Sequence, residues 1–187
     1  MAHIIAAIDL ETTGLDVDRH EIIEIAIVPL NPDLTVSAVL PEFTARIRAE
    51  HSKTADADAL KVNGLDPKEG KSKSEVAADF RQWLAECDIE KIYPLAHNLK
   101  FDMAFFCKAF PAEARVFSHH GRDSMYFALA VNDISLRDTG EAKFSSAALW
   151  VVKEALGLPT DNCHSAIEDA KDAACVYRKL MALLTLN

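Results

Sequence analysis

Apolar and polar positions recur along this chain with two different periods. Around residues 3–10, 21–30 and 37–47, Val, Ile, Leu and Ala gather in short runs separated by polar links at 16–20 and 31–35. Runs of this length, bounded by Asp, Asn and Pro, predict three strands joined as an antiparallel meander. The period then lengthens. Residues 55–62 read as a short helix running into the turn signal Asn63-Gly64. Ser74 followed by Val76, Phe80, Trp83 and Leu84 reads as a capped amphipathic helix. A short strand at 92–96, a helix at 100–110, another short strand near 114–118 and a helix from about 124 to 131 follow. The polar segment LRDTGEAKFS at 136–145 predicts a loop, with helices near 146–156 and 165–184 after it. Strands first, then helix and strand in alternation, indicate one α/β domain over 1–187, a mixed sheet covered by helices.

The first apolar run does not end as a buried strand normally would. In IIAAIDLETTGL, residues 4–15, two acids close the run. Asp9 and Glu11 stand two apart on a strand, so their side chains leave the same face, while Ile8 and Leu10 leave the other. A carboxylate at the edge of a core is costly unless something compensates it. Two side by side repel, and one takes up a proton unless a cation sits between them. A hard divalent cation with oxygen ligands is the natural partner. Thr12, Thr13 and Gly14 add hydroxyls, backbone N–H groups and a permissive backbone, suited to approaching a phosphate or a terminal nucleotide.

Two later segments extend this chemistry. In LAHNLKFDMAFF, residues 95–106, Asp102 falls near the start of an otherwise apolar helix. An acid can simply complement a helix N-terminus, but its apolar company and the other acids point to chemistry. Asn98 either caps that helix or reaches the substrate, and His97 and Phe101 support the local packing. In DNCHSAIEDAKDAACVYRKL, residues 161–180, Ser165 and Glu168 fit a capping box, which places Asp169 in the first turn. His164 then precedes the helix, and an ordinary imidazole pKa of about 6.5 suits a general base near neutrality. Four further acids read as structural. Glu24 lies in the neighbouring strand, Asp123 caps the next helix, and Glu168 and Asp172 belong to the N-terminal turns of the final helix.

Charge narrows the range of partners. Twenty Lys and Arg against 29 Asp and Glu give a formal charge of −9, which argues against coating long nucleic acid through its phosphates. It leaves open an enzyme that takes only the end of a strand, and acids in a metal site explain part of the excess. Lys68, Lys71 and Lys73 read as a solvated loop. Cys87, Cys107, Cys163 and Cys175 form no C-x-x-C pair, which suits free thiols in a reducing compartment. The start of the sequence lacks a basic n-region, and no run approaches eighteen apolar residues, so neither a signal peptide nor a membrane span is expected and a cytoplasmic setting is.

DLETTGL at 9–15, HNLKFD at 97–102 and HSAIED at 164–169 together resemble the three motifs of the DnaQ-like 3′→5′ exonucleases, the DEDDh subgroup of the ribonuclease H-like superfamily. A tyrosine in place of His164 would mark the sister subgroup. Departures are small, at Lys100 and at Val62-Asn63. The resemblance implies a mixed five-stranded sheet, three antiparallel strands then two parallel, flanked by helices. It implies that Asp9, Glu11, Asp102 and Asp169 hold two Mg²⁺ or Mn²⁺ ions, roughly 3.5–4 Å apart, with His164 accepting the proton of the attacking water. It implies that Thr12, Thr13, Gly14 and Leu15 position the terminal nucleotide, with Leu15 wedged against its base. Asn98 would line the same pocket, and Asn63 would belong to the substrate-binding segment ALKVNGL. The implied reaction releases nucleoside 5′-monophosphates from the 3′ ends of single-stranded nucleic acid, DNA ahead of RNA. An exoribonuclease and a non-catalytic module that binds nucleic acid or a polymerase are the alternatives. Relatives include monomers, homodimers and subunits of a polymerase or replication complex.

Overall fold

The computed structural model describes residues 2–160 and 165–184. Five strands form one sheet: β1 (Ala2–Thr12), β2 (Ile22–Leu30), β3 (Phe43–Arg46), β4 (Ile89–Ala96) and β5 (Arg122–Asp123). Their order is β3-β2-β1-β4-β5. The β1–β2 and β2–β3 pairs are antiparallel, and the β1–β4 and β4–β5 pairs parallel, as the mixed sheet anticipated. The helices are α1 (Ala57–Asn63), α2 (Lys73–Glu86), α3 (Leu99–Ala109), α4 (Ser124–Thr139), α5 (Leu149–Ala155) and α6 (Ala166–Leu184). Among the described residues no helix is long and apolar enough to cross a membrane.

The central position of β1 follows from its composition. Ala6, Ala7 and Ile8 have no exposed surface, which only a strand covered on both faces can achieve. One face carries Ala6, Ile8 and Leu10 into a core with Ile25 and Ile27 of β2 and Phe80, Trp83, Phe105 and Phe106 of α2 and α3. Its centre is an aromatic cluster in which the Phe80 ring lies 5.2 Å from Phe43 and 5.7 Å from Phe106. The other face carries Ala7, Val28, Leu30 and Leu95 against Ala170, Ala173 and Ala174 of α6. α4 and α5 then pack on the outer side of α6 through Ala128, Val131, Val152, Val176 and Leu180.

The alanines of α6 set its distance from the sheet. With methyl groups facing β1 and β2, the helix axis comes close, and the acid at the N-terminal end of the same helix comes with it.

Several boundaries differ from the sequence expectation, each for a local reason. The third strand begins at Phe43 rather than near 37, because the Ser37 hydroxyl accepts the N–H groups of Val39 and Leu40 and turns the chain. The cap of α2 is Ser72, not Ser74, in a reciprocal capping box with Glu75. The segment near 114–118 is a 3₁₀ turn, Glu113–Val116, with only a single bridge from Phe117 to Ile92. The fifth strand is instead the two-residue Arg122–Asp123, too short to carry a hydrophobic signature. α4 continues into the expected loop as far as Thr139 and stops where Gly140 takes a left-handed conformation (φ 81°).

If close approach of α6 is what these alanines provide, Ala170→Leu should overpack a site with no exposed surface. The expected loss is about 1–3 kcal/mol, seen in thermal unfolding as about 2–4 °C for each kcal/mol. An unchanged midpoint would show that α6 has slack against the sheet.

Candidate active site

β1 outruns its parallel neighbour. Its last pair with β4 is Ala7 with Leu95, whereas its pairing with β2 continues past Asp9 (opposite Ala26) and Glu11 (opposite Glu24) to an irregularity between Glu11 and Thr12. The strand therefore presents both acids where β4 has already turned away. They lie on the α6 face, and Asp169, in the first turn of α6, meets them there. One carboxylate oxygen from each of Asp9, Glu11 and Asp169 lies within 4.8 Å of the others. Asp102 arrives from α3 on the opposite face. It is 2 % exposed, and its carboxylate accepts the N–H of Leu10, a strand donor that β4 no longer reaches.

Electrostatics at this point are adverse. Burial first, then the charges of Asp102, Asp169, Glu11 and Glu24, hold the Asp9 carboxyl well above the usual range. Burial and the neighbouring Asp169 and Glu24 push Glu11 up to about 7, against a hydrogen bond from Asn63 that acts the other way. Burial also raises Asp102, opposed by the N–H groups of Asp102 itself and Leu10, and supported by Asp123 and Glu11. The charged neighbours acting most strongly on Asp9 are all acids. A donor set made of carboxylate oxygens, crowded within one ion's reach and disfavoured as free anions, fits a hard divalent cation.

The loop after β1 is braced from within. The Thr12 hydroxyl donates to the Gly14 carbonyl at 2.8 Å, and the Thr13 hydroxyl accepts the Glu21 N–H at 2.9 Å. Both threonines are buried, so their hydroxyls are engaged in shaping the loop. Asn63 is also buried; its amide donates to the Thr12 carbonyl at 3.1 Å and its oxygen accepts the Leu65 N–H at 3.1 Å. At Gly14 (φ 155°) an added Cβ would lie 2.5 Å from the His20 ring, which in turn accepts the Asp16 N–H. Of TTGL, Leu15 alone reaches solvent, 81 % exposed.

Around Asp102 the supports are similar. Asn98 occupies the N-cap position of α3 in a left-handed conformation (φ 75°) without a capping bond from its side chain. Asp123 serves there instead, accepting the N–H groups of Asn98 and Leu99 at 3.2 and 2.8 Å as well as those of Met125 and Tyr126 at the start of α4. His97 is a structural bridge, with Nδ1 at 2.9 Å from the Ser124 hydroxyl and Nε2 at 2.8 Å from the Ala147 carbonyl, and burial lowers its pKa. The Phe101 ring packs against Phe105 at 4.8 Å with a tilt of 49°. His164 and Cys163 lie outside the described residues; Cys87, Cys107 and Cys175 are free thiols.

Two supports were not foreseen in their actual form. Glu24 accepts the N–H of Ala166 at 3.0 Å, so a strand residue helps to cap the start of α6. Asp172 is not a helix-dipole acid but the ion-pair partner of Lys153, itself only 4 % exposed, which ties α5 to α6. Both contacts join residues far apart in sequence, and no local pattern announces them.

Comparison with known proteins fits this geometry. The pattern of the RNase T-type exonuclease family matches residues 6–177. The chain belongs to that exonuclease family. The likeness of its three motifs to the DnaQ-like enzymes is thereby borne out. Among solved structures, the zinc-bound complex of E. coli exonuclease I with single-stranded DNA superposes with a TM-score of 0.78 at 16 % identity, over 100 % of this chain and 42 % of that one. The E. coli exonuclease I complex with a dT13 oligonucleotide gives 0.74 at 15 %, over 98 % and 43 %. Exonuclease I from Methylocaldum szegediense gives 0.71 at 15 %, over 99 % and 42 %. At such identities the likeness establishes the fold, and the chain spans less than half the length of these proteins. A comparison with curated proteins finds no match.

The raised carboxyl pKa values make a prediction for the cation-free family member. Glu11 binds its proton more tightly folded than unfolded, so its contribution favours folding below 4.5 and is lost as pH rises from 4.5 to about 7. The full shift corresponds to at most about 3 kcal/mol, less after solvent screening of this half-buried group. In EDTA, the unfolding midpoint should fall between pH 5 and pH 8. Glu11→Gln should flatten that slope, and Mn²⁺ should raise the midpoint more at pH 8 than at pH 5. A slope that Glu11→Gln leaves unaltered would assign the pH dependence to other groups.

Proposed function

We propose that this chain is a metal-dependent 3′→5′ exonuclease acting on single-stranded ends, DNA before RNA, and releasing nucleoside 5′-monophosphates. The observation that carries the reading is the convergence of Asp9, Glu11 and Asp169 within 4.8 Å beside the buried Asp102, in a chain whose family is one of exonucleases. The kinship of its fold to exonuclease I solved with single-stranded oligonucleotides supports the choice of substrate.

Asp9, Glu11, Asp102 and Asp169 would hold Mg²⁺ or Mn²⁺. Bound there, two such ions supply a water acidified for attack and offset charge at the scissile phosphate and the departing 3′ oxygen. The chain's own residues do the rest. Asn63 orients Glu11 and fixes the Thr12 carbonyl, so the loop carrying Leu15 keeps one shape. Leu15, exposed at its tip, offers an apolar face to the terminal base. Thr12, Thr13 and Gly14 act through the backbone they hold in place, and Asn98, half-exposed at the start of α3, stands beside Asp102. His164 enters as the proton acceptor on its sequence position alone. Glu24 and Lys153 act at one remove, holding α6 and hence Asp169 against β1.

The test is digestion of 5′-labelled single-stranded DNA, duplex DNA with a 3′ overhang, and RNA, with Mn²⁺ and with EDTA. The wild type should shorten the single strand from its 3′ end only with the cation. Asp102→Asn, which keeps an acceptor for the Leu10 N–H, should lose at least about 10³-fold in rate while retaining its unfolding transition. Undiminished digestion by that variant sinks the site assignment, and preference for RNA replaces the DNA reading with the exoribonuclease one.

A further inference from the structure

Beside the acids lies a cleft of about 600 Å³, in the size range of ligand sites. Asp9 and Asp169 line it together with Trp150, Lys153 and Glu154 of α5. Trp150 is 62 % exposed there. The chain's other tryptophan, Trp83, is in the core and donates its indole N–H to the Pro41 carbonyl at 2.9 Å.

The mounting of Trp150 distinguishes it from a stray surface aromatic. α5 buries Val151, Val152 and Lys153, which follow it directly. Val152 sits in the core shared with α4 and α6, and Lys153 pairs with Asp172. His97 holds the Ala147 carbonyl just before the helix at 2.8 Å. The ring is thus carried on an element fixed to the same helix that carries Asp169, exposed to solvent in the cleft that the acids also line. A rigid, exposed indole beside a polyanion-processing site in a chain of net charge −9 has an evident use. Base stacking supplies affinity without charge, and every base has a face to offer.

Resting on the exonuclease reading, we propose that Trp150 is a stacking platform for an unpaired base of the substrate strand, held in the cleft it shares with Asp9 and Asp169. Because only an unstacked base can lie on the ring, this contact would also make the site select single strands over paired ends.

The test is a cycle between the ring and the base. Binding of a 5′-fluorescein oligothymidylate, and of the same strand with abasic residues at its three 3′-terminal positions, is measured by anisotropy on the full chain carrying Asp102→Asn, so that the strand stays intact. Adding Trp150→Ala should weaken binding of the normal strand at least about fivefold, equally at low and moderate salt, and leave binding of the abasic strand unchanged. Trp150→Phe should keep most of the affinity, and both variants should unfold at the parent temperature, since the ring is exposed. Equal losses on the two strands, or no loss on either, overturn the proposal, as does a change in self-association with strand affinity unmoved. Digestion with Asp102 intact separates the failures. A wild type that shortens the strand while Trp150→Ala binds it undiminished refutes the platform alone; a wild type that shortens no strand removes both readings.

Discussion

Repulsion among carboxylates at the end of β1 is the constraint to which the rest of this structure answers. Two unit charges 4.8 Å apart, in an effective dielectric of about 20, repel by about 3.5 kcal/mol. Several such pairs rival the roughly 5–15 kcal/mol by which a domain of ordinary stability is held together. A cluster of this kind persists because its members are fixed by contacts that do not involve their charge. Asp9 and Glu11 are delivered by the register of β1 with β2. Asp169 is delivered by a helix that lies close because Ala170, Ala173 and Ala174 are small, and whose first turn is capped by Glu24. Asp102 is held by the Leu10 N–H. Protonation or a cation lowers the electrostatic cost, and a cation does so at neutral pH while leaving every oxygen an acceptor.

The capping of α6 by Glu24 shows how the same economy serves two ends. An acid opposite Glu11 on the adjacent strand adds to the repulsion on Glu11, an unfavourable placement by itself. Its hydrogen bond to Ala166 nevertheless anchors the N-terminal end of α6 at the height where Asp169 must sit. Lys153 completes the arrangement from the far side. It is buried, paired with Asp172 one turn beyond Asp169, and locks α5 in place. Removing one partner would leave a buried charge behind, which is the costly half of such pairs.

What could be read from the sequence was whatever has a local period. Asp9 and Glu11 announced a shared face by standing two apart, and Asp169 was placed on a helix by the apolar spacing that follows it. The sheet topology followed from the order of strand-like and helix-like runs together with the family resemblance. The rest turned on which partner each group finds, whether nearby or distant in sequence. Ser72 and Ser74 compete as caps, and the reciprocal bond with Glu75 selects Ser72. β5 is two residues long, too short for any period, and exists because β4 offers it an edge. The Thr12 and Thr13 hydroxyls also brace their own loop, through Gly14 and Glu21, which no periodicity announces. The role of Glu24 depends on Ala166, 142 residues away.

An acidic chain that processes a polyanion must gain its hold at short range. At −9 overall, the field at a distance opposes a strand rather than steering it in. Some of the positive charge is paired within the molecule: Lys71 with Asp79, Lys73 with Glu50, Lys108 with Asp18 and Lys171 with Glu42. Near the acids the structure offers exposed apolar and aromatic groups, Leu15 on the loop after β1 and Trp150 on α5. On the proposed reading, contacts of that kind would engage a few nucleotides, so a charge balance that argues against binding along a strand is compatible with working at its end.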